Sequence, residues 1–326
     1  MATYKGINGF AVQSVASDPS PLDEGQVWYN NATYAFKLAA VTTAGTWASG
    51  GTMNTAKVIT AGAGIQTAAL SFGGSPTITA TEKYDGTSWT NNPTGLNTGR
   101  RDLGGTGTQT AALGFGGFNG GASSATETFN GSSWTSVNSM NTARRVRGAG
   151  IQTATIAGGG GNFPGGTTAS ESWNGTSWTS TSPINTSRTE VGMSGLQTAA
   201  LLFAGYTSYP TTSAATESWN GSSWTSVASM NTARAGIVGF GIQTASVGVG
   251  GLTAGAGPNT GATELYNGTS WTTNPNSIAT SRGYGAGCGT QPTGLFMGGG
   301  GPGPAVNLSE EWTGPGIPVT KTITTS

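Results

Sequence analysis

The sequence predicts an all-β fold built from tandem repeats, and two observations support this. A phrase that is clearest at Glu217–Trp224 recurs along the chain at steps of 45, 44, 46, 47 and 46 residues. A fixed period of about 20–50 residues is the signature of a repeat architecture. No stretch shows the 3.6-residue period of an amphipathic helix. The repeat therefore favours one large all-β domain over two smaller ones.

Each repeat predicts four short antiparallel strands, as residues 141–182 illustrate. Ala154–Ala157 is a short apolar run closed by two glycines, and Glu171–Trp173 forms the next strand. Asn174-Gly175 predicts a type I′ hairpin turn, which requires positive φ at both central residues. Trp178 begins the fourth strand. Short strands of this kind, separated by turn residues, are typical of all-β folds.

Four strands in every 44–47 residues predict a β-propeller. A four-stranded blade cannot bury both faces alone, so blades pack on one another around an axis. Glycine pairs precede the first turn of five repeats, and the fourth repeat has Met193 and Gly195 instead. The pairs are Gly62/Gly64, Gly105/Gly107, Gly148/Gly150, Gly239/Gly241 and Gly287/Gly289. Such glycines are expected where inner strands approach closely.

The order of these features resembles the kelch repeat. In the first copy it comprises Gly73-Gly74, Glu82, Tyr84, Trp89 and Arg100. The resemblance covers roughly residues 45 to 313. The copies depart from the pattern at three places: Ala204-Gly205 replaces a Gly-Gly pair, Lys57 replaces an Arg, and the sixth copy ends at Trp312–Pro315. The resemblance implies a kelch-like β-propeller.

The strand-four tryptophans indicate how the ring closes. They are Trp47, Trp89, Trp134, Trp178, Trp224 and Trp271. Trp47 precedes the first complete repeat, and the sixth repeat lacks such a residue after Trp312. We therefore predict that residues 45–49 supply the outer strand of the last blade, which leaves no broken sheet edge.

The predicted organisation is a six-bladed kelch-like β-propeller at 45–314. An N-terminal arm and hairpin at 1–44 precede it, and a C-terminal tail at 315–326 follows it. The predicted blades are 53–93, 96–138, 140–182, 184–228, 230–274, and 278–313 together with 45–49.

The charged residues that recur in every repeat are predicted to serve the scaffold. The acidic set is Glu82, Glu127, Glu171, Glu217, Glu264 and Glu310. The basic set is Lys57, Arg100, Arg144, Arg188, Arg234 and Arg282. Equal numbers predict structural ion pairs or bonds to loop carbonyls, for which the arginine fork is well suited. The alternative, a ring of carboxylates binding a metal or substrate, lacks the local ligand clusters of calcium sites.

Composition argues against several function classes. Charged residues are 8% of the chain, against about 25% in typical proteins, and 13 basic residues balance 13 acidic ones. This predicts no nucleic-acid binding. No run approaches the roughly 18 apolar residues of a membrane span. There is no His and only one Cys, Cys288, which predicts a small buried hydrophobe, no His-based catalytic pair, no metal site and no cofactor.

Function is expected in the loops that differ between repeats. The loops between strands two and three vary in length and are about 75–81, 118–126, 160–170, 206–216, 252–263 and 300–309. Aromatic residues among Gly, Ser, Thr and Asn have the composition of binding loops. The candidate ligand-binding residues are Phe118, Phe163, Tyr206 and Tyr209. A host-surface glycan or receptor is the predicted partner, and loop drift without a ligand is the alternative.

The N-terminal region contains Gly25–Asn30 followed by Phe36-Lys37, and the repeats contain Gln66–Ala69 and Gln197–Ala200. These segments resemble a hairpin, and the repeats that follow it, in virion proteins of marine phages. It implies a tail fibre, tail appendage or capsid decoration, multimeric in the particle and attached to other virion proteins through the N-terminal arm. The expected localisation is the virion, assembled in the host cytoplasm and released by lysis. The alternative is a cellular or secreted glycan-binding kelch-like propeller.

Enzymatic activity is not expected from the sequence. Copper oxidases with kelch-like propellers have a pattern that requires His, which this chain lacks. A carboxylate-based hydrolase needs two acids outside the repeat set. Asp85, Asp102 and Glu190 are such acids, but they fall in different blades, and we expect no grouping among them. The sequence therefore predicts a structural and interaction protein.

Overall fold

The protein is all-β. The computed structural model describes residues 4–7, 10–21, 25–41, 44–162, 164–253, 257–301, 304–316 and 318–323. Every regular element in these ranges is a β-strand, which confirms the predicted fold class. The described ranges contain no helix long and apolar enough to cross a membrane. The chain divides into two compact units, one of residues 1–46 with 313–326 and one of residues 47–312.

The first unit contains a five-stranded sheet. Its strands, in sheet order, are β1 (Tyr4–Ile7), β2 (Phe10–Val15), β3 (Val27–Asn30), β4 (Ala35–Val41) and β31 (Pro318–Thr322). β2 and β3 are parallel, and the other pairs are antiparallel. β3 and β4 form the hairpin predicted from the sequence, with Asn30 opposite Ala35.

The C-terminal segment differs from its prediction as a separate tail. β31 pairs with β4 over five residues, so this segment lies in the same sheet as the N-terminal hairpin. Its run of Val and Thr favours an extended strand, and pairing along β4 satisfies backbone groups that an open edge would leave unpaired.

The second unit is built from four-stranded antiparallel sheets. Among the described residues there are six, named sheets 1 to 6 in chain order. Sheet 1 contains β6 (Ala61–Ile65), β7 (Ala68–Phe72), β8 (Thr81–Tyr84) and β9 (Trp89–Asn91). Sheet 2 contains β10 (Gly104–Gly107), β11 (Ala112–Phe115), β12 (Thr126–Phe129) and β13 (Trp134–Val137). Sheet 3 contains β14 (Arg145–Ile151), β15 (Ala154–Gly161), β16 (Ser170–Trp173) and β17 (Trp178–Ser180).

The remaining sheets continue the pattern. Sheet 4 contains β18 (Gly192–Leu196), β19 (Ala199–Phe203), β22 (Thr216–Trp219) and β23 (Trp224–Val227). Its middle loop holds a small pair, β20 (Tyr206–Ser208) and β21 (Thr211–Thr212). Sheet 5 contains β24 (Val238–Ile242), β25 (Ala245–Val249), β26 (Thr263–Tyr266) and β27 (Trp271–Asn274). Sheet 6 contains β28 (Ala286–Gly289), β29 (Thr293–Met297), β30 (Ser309–Thr313) and β5 (Thr46–Ser49).

Sheet 6 takes its outer strand from the N-terminal side of the chain. Beyond the end of β5, the Gly50 amide donates to the Ser309 carbonyl at 2.9 Å. The indole nitrogen of Trp47 donates to Thr263 of sheet 5 at 2.9 Å. In the same way Trp178 of sheet 3 donates to Thr126 of sheet 2 at 3.0 Å. Trp47 therefore makes the contact that its counterparts make.

Two further contacts link each sheet to the one before it. The inner strands β6, β10, β14, β18, β24 and β28 contact one another in this order, and β28 contacts β6. The repeated glutamines also cross between sheets. Gln152 of sheet 3 donates to the Phe129 carbonyl of sheet 2, and Gln66 of sheet 1 donates to the Trp312 carbonyl of sheet 6 at 2.9 Å. The glutamines thus bond to backbone, but across sheets and not within their own turns.

Glycine permits the close approach of the inner strands. A Cβ on Gly105 of β10 would lie 2.8 Å from the Gly62 carbonyl oxygen of β6. The predicted type I′ turn at Asn-Gly is wrong, however. Trp173 pairs with Trp178 across four loop residues, and Asn174 lacks the positive φ that Gly175 has. The Asn174 side chain accepts from two following backbone amides, which stabilises a longer loop instead.

Candidate functional site

The recurrent charged residues form buried ion pairs within the sheets. Arg188 contacts Glu217 at 2.6 Å, and both side chains are almost fully buried. The other carboxylate oxygen of Glu217 accepts the Asn185 amide at 2.6 Å, so the pair also fixes the preceding linker. The equivalent pairs are Lys57–Glu82, Arg100–Glu127, Arg144–Glu171, Arg234–Glu264 and Arg282–Glu310. The two charges of each pair therefore compensate each other, and both side chains are buried.

The strand-four tryptophans are packed between sheets. Trp134 lies 4.7 Å from Phe72 of sheet 1 and 5.0 Å from Phe129 of its own sheet, measured between ring centroids. The other tryptophan–hydroxyl bonds are Trp89 to Ser309, Trp134 to Thr81, Trp224 to Ser170 and Trp271 to Thr216. The tryptophans therefore offer little surface for a ligand.

The variable loops share one end of the sheets with the linkers that enter each sheet. Arg101, in the linker before sheet 2, bridges to Phe118 in the middle loop of that sheet. Thr189 and Tyr206 form the same bridge in sheet 4. We call this end the loop face. The turns between the first two strands lie at the opposite end and carry exposed side chains such as Ile242.

A belt of backbone hydrogen bonds joins the linkers at the loop face. It uses the residue two positions after each repeated Arg or Lys, namely Ile59, Asp102, Val146, Glu190, Gly236 and Tyr284. The Asp102 amide donates to the Ile59 carbonyl at 3.0 Å, and the Tyr284 amide donates to Gly236 at 2.8 Å. Further belt bonds are Ile59 to Tyr284, Val146 to Asp102 and Gly236 to Glu190.

The belt is interrupted at one place within the described residues. No backbone bond joins Val146 and Glu190. Val146 lies inside β14, whose register shifts between Arg145 and Arg147, and it lacks the positive φ of its five counterparts. Because the strand is extended by two residues, the backbone turn that forms the belt hydrogen bond in the other repeats is absent here.

Five charged side chains gather at this interruption. They are Arg101, Asp102, Arg145, Arg147 and Glu190, and we call them the belt cluster. The Asp102 carboxylate lies 3.5 Å from the guanidinium of Arg145 and 4.0 Å from that of Arg147. Asp102, Arg145, Arg147 and Glu190 line a cavity of about 10 Å³. Arg147 also lines a second cavity of about 50 Å³ between the inner strands.

Several polar atoms of this cavity lack hydrogen-bond partners. Both carboxylate oxygens of Asp102 and the hydroxyl of Thr189 are unpartnered, although each residue is 1% exposed. Burial raises the pKa of Asp102, and the neighbouring arginines oppose this rise. Desolvation by the surrounding protein, with a further contribution from Asp102, raises the pKa of Glu190 to about 8. Unpartnered buried polar groups are costly, which makes this cavity a candidate binding site.

Tyrosines flank the cluster. The Tyr284 ring lies over Gly236, where an added Cβ would meet ring carbons at 2.8 Å. The Tyr284 hydroxyl bonds to that of Tyr206, so this side chain extends from sheet 6 past sheet 5 to sheet 4. Burial raises the pKa of Tyr284, with a further contribution from Glu190. Gly236 leaves the space that the ring occupies.

The structure separates the four aromatic residues that the sequence singled out. Phe118 is half-buried, and the guanidinium carbons of Arg101 and Arg145 lie 4.9 and 4.7 Å from its ring centroid. Tyr206 is 1% exposed and packs against Tyr209, which is 41% exposed. Phe163 lies outside the described residues. Among the described three, only Tyr209 presents a large exposed ring.

The expectation that the spare acids do not group is wrong. Asp102 and Glu190 lie 88 positions apart in the chain and line one cavity, because belt positions from different repeats meet at the loop face. Asp85 lies elsewhere, in an exposed turn, where it accepts from Thr87 and Ser88. Glu311 is a further acid outside the repeat set, and it accepts from the Tyr84 hydroxyl at 2.6 Å.

Sequence reasoning missed the three arginines of the belt cluster. Arg101, Arg145 and Arg147 are all the arginines outside the repeat set. The sequence could have indicated these three residues, since each falls within three positions after Arg100 or Arg144. The described residues contain no group of three or more acidic, His or Cys side chains that could hold a metal ion. Cys288 is buried, as predicted, and burial raises the pKa of its thiol to about 12.

Comparison with known proteins gives information on the fold alone. No family model matches the chain, and no curated protein matches it. Among solved structures, one described as "Structure of YjhT" is similar, with a TM-score of 0.66 and 14% sequence identity. The match covers 80% of this chain and 96% of that chain. Together with the four-stranded sheets, this confirms a propeller-like all-β architecture.

Proposed function

We propose that this chain is a non-enzymatic interaction protein of a phage particle, built as a closed six-bladed kelch-like β-propeller that uses its loop face for recognition. The single observation that supports the recognition role is that side chains found in only some of the repeats lie together at the loop face. Five of the charged residues left over from the repeated ion pairs form the belt cluster, and Tyr209 is exposed in a neighbouring variable loop. Residues shared by all repeats are buried in ion pairs and intersheet packing.

The six-bladed, closed form of the propeller is supported by contacts between sheets. The contact between β28 and β6 and the Gln66 bond to sheet 6 repeat those between consecutive sheets. Trp47 bonds sheet 6 to sheet 5 as Trp178 bonds sheet 3 to sheet 2. Closing the ring through a strand from the other end of the chain removes exposed sheet edges. A closed scaffold of this kind holds its loops at fixed positions.

The virion assignment rests on the sequence of the N-terminal hairpin and on the repeat wording. Residues 25–30 with Phe36-Lys37 resemble hairpins of marine-phage virion proteins. In this proposal the N-terminal unit attaches to other virion proteins in a multimeric assembly, and the loop face meets a host-surface glycan or receptor. The protein would be a tail fibre, tail appendage or capsid decoration.

Electron microscopy of the source particle tests the virion assignment. Gold-labelled antibody against the purified chain should mark one part of every particle. Label absent from particles and present on uninfected cells would overturn the assignment and favour a cellular or secreted glycan-binding propeller.

A glycan array tests the recognition role. The purified chain should bind a restricted set of glycans or, on intact host cells, a protein receptor. Absence of binding both to the array and to host cells would contradict the proposed role and leave a passive decoration.

A further inference from the structure

We propose that the belt cluster is a binding site for an oxyanion, that is, a carboxylate, sulfate or phosphate group. The inference deepens the proposed recognition role by naming the chemistry of the ligand. It rests on the proposed function for its biological meaning, but the site itself is argued from local geometry.

The donors of the cluster exceed its acceptors. Arg101 makes no side-chain hydrogen bond to any described residue, and its guanidinium carbon lies 4.9 Å from the centroid of the Phe118 ring. Arg145 also stacks on this ring and approaches Asp102 without a hydrogen bond. A guanidinium has five N–H donors, so these two side chains alone leave most of their donors without a protein acceptor.

Arginine is the residue best matched to oxyanions. Its planar fork donates two parallel hydrogen bonds to a carboxylate, sulfate or phosphate. The guanidinium carbons of Arg101 and Arg145 both lie within 5 Å of the Phe118 ring centroid, at 4.9 and 4.7 Å. Two like charges held near one ring repel each other, and a bound anion would relieve that repulsion.

Besides the arginines, the site contains buried polar side chains that line a small cavity. Asp102 and Thr189 are 1% exposed and line the cavity of about 10 Å³, and their side-chain oxygens have no hydrogen-bond partner among the described residues. A volume of this size holds about one water molecule or one hydroxyl group. The arrangement therefore fits a ligand whose anionic group meets the arginines and whose hydroxyl, or a bridging water, reaches Asp102.

The net charge of the cluster favours an anion. Three arginines face two acids, and a raised pKa keeps Glu190 largely protonated at neutral pH. The groups that face Glu190 are Asp102, Arg145, Arg147 and the hydroxyls of Tyr206 and Tyr284. Ionisation of Glu190 adds a negative charge beside the site, so affinity for an oxyanion should fall as pH rises through about 8.

Calorimetric titration of the full-length chain tests the proposal. The probes are inorganic sulfate, inorganic phosphate and glucuronate, with glucose and sodium chloride as controls for neutral sugar and ionic strength. We expect at least one oxyanion to bind saturably and the controls not to bind. The strongest of the three probes identifies the type of group. No saturable binding of any oxyanion would overturn the proposal.

Two variants localise the binding. Arg101→Gln removes a guanidinium that bonds to no described residue, so the variant should fold and should lose about tenfold or more in affinity. Lys83→Gln is the control for charge, because it removes one positive charge outside the cluster, where Lys83 lies over Phe129 and donates to the Gly131 carbonyl. Equal affinity in wild type and Arg101→Gln, or equal losses in both variants, would contradict the site.

The pH dependence gives a second readout. Glu190→Gln should retain oxyanion binding and lose the decline in affinity above pH 8. An unchanged pH profile in this variant would contradict the role assigned to Glu190. Anion binding by the purified chain does not depend on particles or cells, so loss of host recognition with intact anion binding would remove the proposed function and leave the site.

Discussion

Replacing Trp47 with Ala is expected to destabilise residues 47–312, because Trp47 secures sheet 6 from the N-terminal side of the chain. The substitution removes the hydrogen bond to Thr263 at 2.9 Å. It also removes ring contacts to Trp312 and Phe240, with centroids 5.1 and 6.4 Å away. Large-to-small changes of buried Trp cost about 3–5 kcal/mol, and Trp47 is only half-buried, so about 3 kcal/mol is expected.

Thermal unfolding followed by circular dichroism measures this change. For a unit of this size, about 3 kcal/mol corresponds to a decrease in Tm of about 5 °C. Trp178→Ala is the matched control, because Trp178 makes the equivalent bond to Thr126 and is 6% exposed. It should cost somewhat more than Trp47→Ala. If Trp47→Ala unfolds like the wild type while Trp178→Ala is destabilised, β5 does not secure sheet 6 and the closure is wrong.

Three further predictions concern ionisable groups. Glu217→Gln leaves Arg188 buried without a countercharge and should cost about 3–5 kcal/mol in urea unfolding; a change below about 1 kcal/mol would contradict the structural role. The raised pKa of Glu190 means that the native state binds more protons than the unfolded state between its ordinary pKa of 4.5 and about 8. The free energy of unfolding should therefore fall as pH rises through this window, by up to about 1.4 kcal/mol per pH unit, and Glu190→Gln should flatten the slope; equal slopes would refute the assignment. Cys288 should react with a thiol reagent only after unfolding, because it is buried with a pKa of about 12; rapid reaction of the native protein would show that the thiol is accessible.

The sequence was informative wherever the repeats agree. The Glu in strand three is paired with the basic residue before strand one in all six sheets, with an Arg in five and with Lys57 in the first, because each repeat places the two in the same local geometry. Trp47 lies outside any complete repeat, which is why the sequence predicts that its segment closes the last blade. The turn at Asn174 was misread, since the side-chain bonds that stabilise the longer loop depend on local backbone geometry that the dipeptide does not reveal.

The candidate site could not be located by the same reasoning. Asp102 and Glu190 meet only because linkers from different repeats converge on the belt, which linear spacing does not show. The available signal was the position two residues after each repeated Arg or Lys, where all six copies carry a different residue. The strand β31 was missed because a short Val- and Thr-rich segment indicates an extended conformation but does not indicate which strand it pairs with, here β4.

The measurement that tests the central claim most directly compares two faces of the second unit in binding to host cells. Tyr209→Ala removes an exposed aromatic ring from the loop face, and Ile242→Ala removes a similarly exposed side chain from the opposite end of the sheets. With fluorescently labelled protein, Tyr209→Ala should reduce cell binding about tenfold, as expected for an aromatic anchor at an interface, while Ile242→Ala should bind like the wild type. Loss of binding in Ile242→Ala with full binding in Tyr209→Ala would place recognition on the other face and contradict the account.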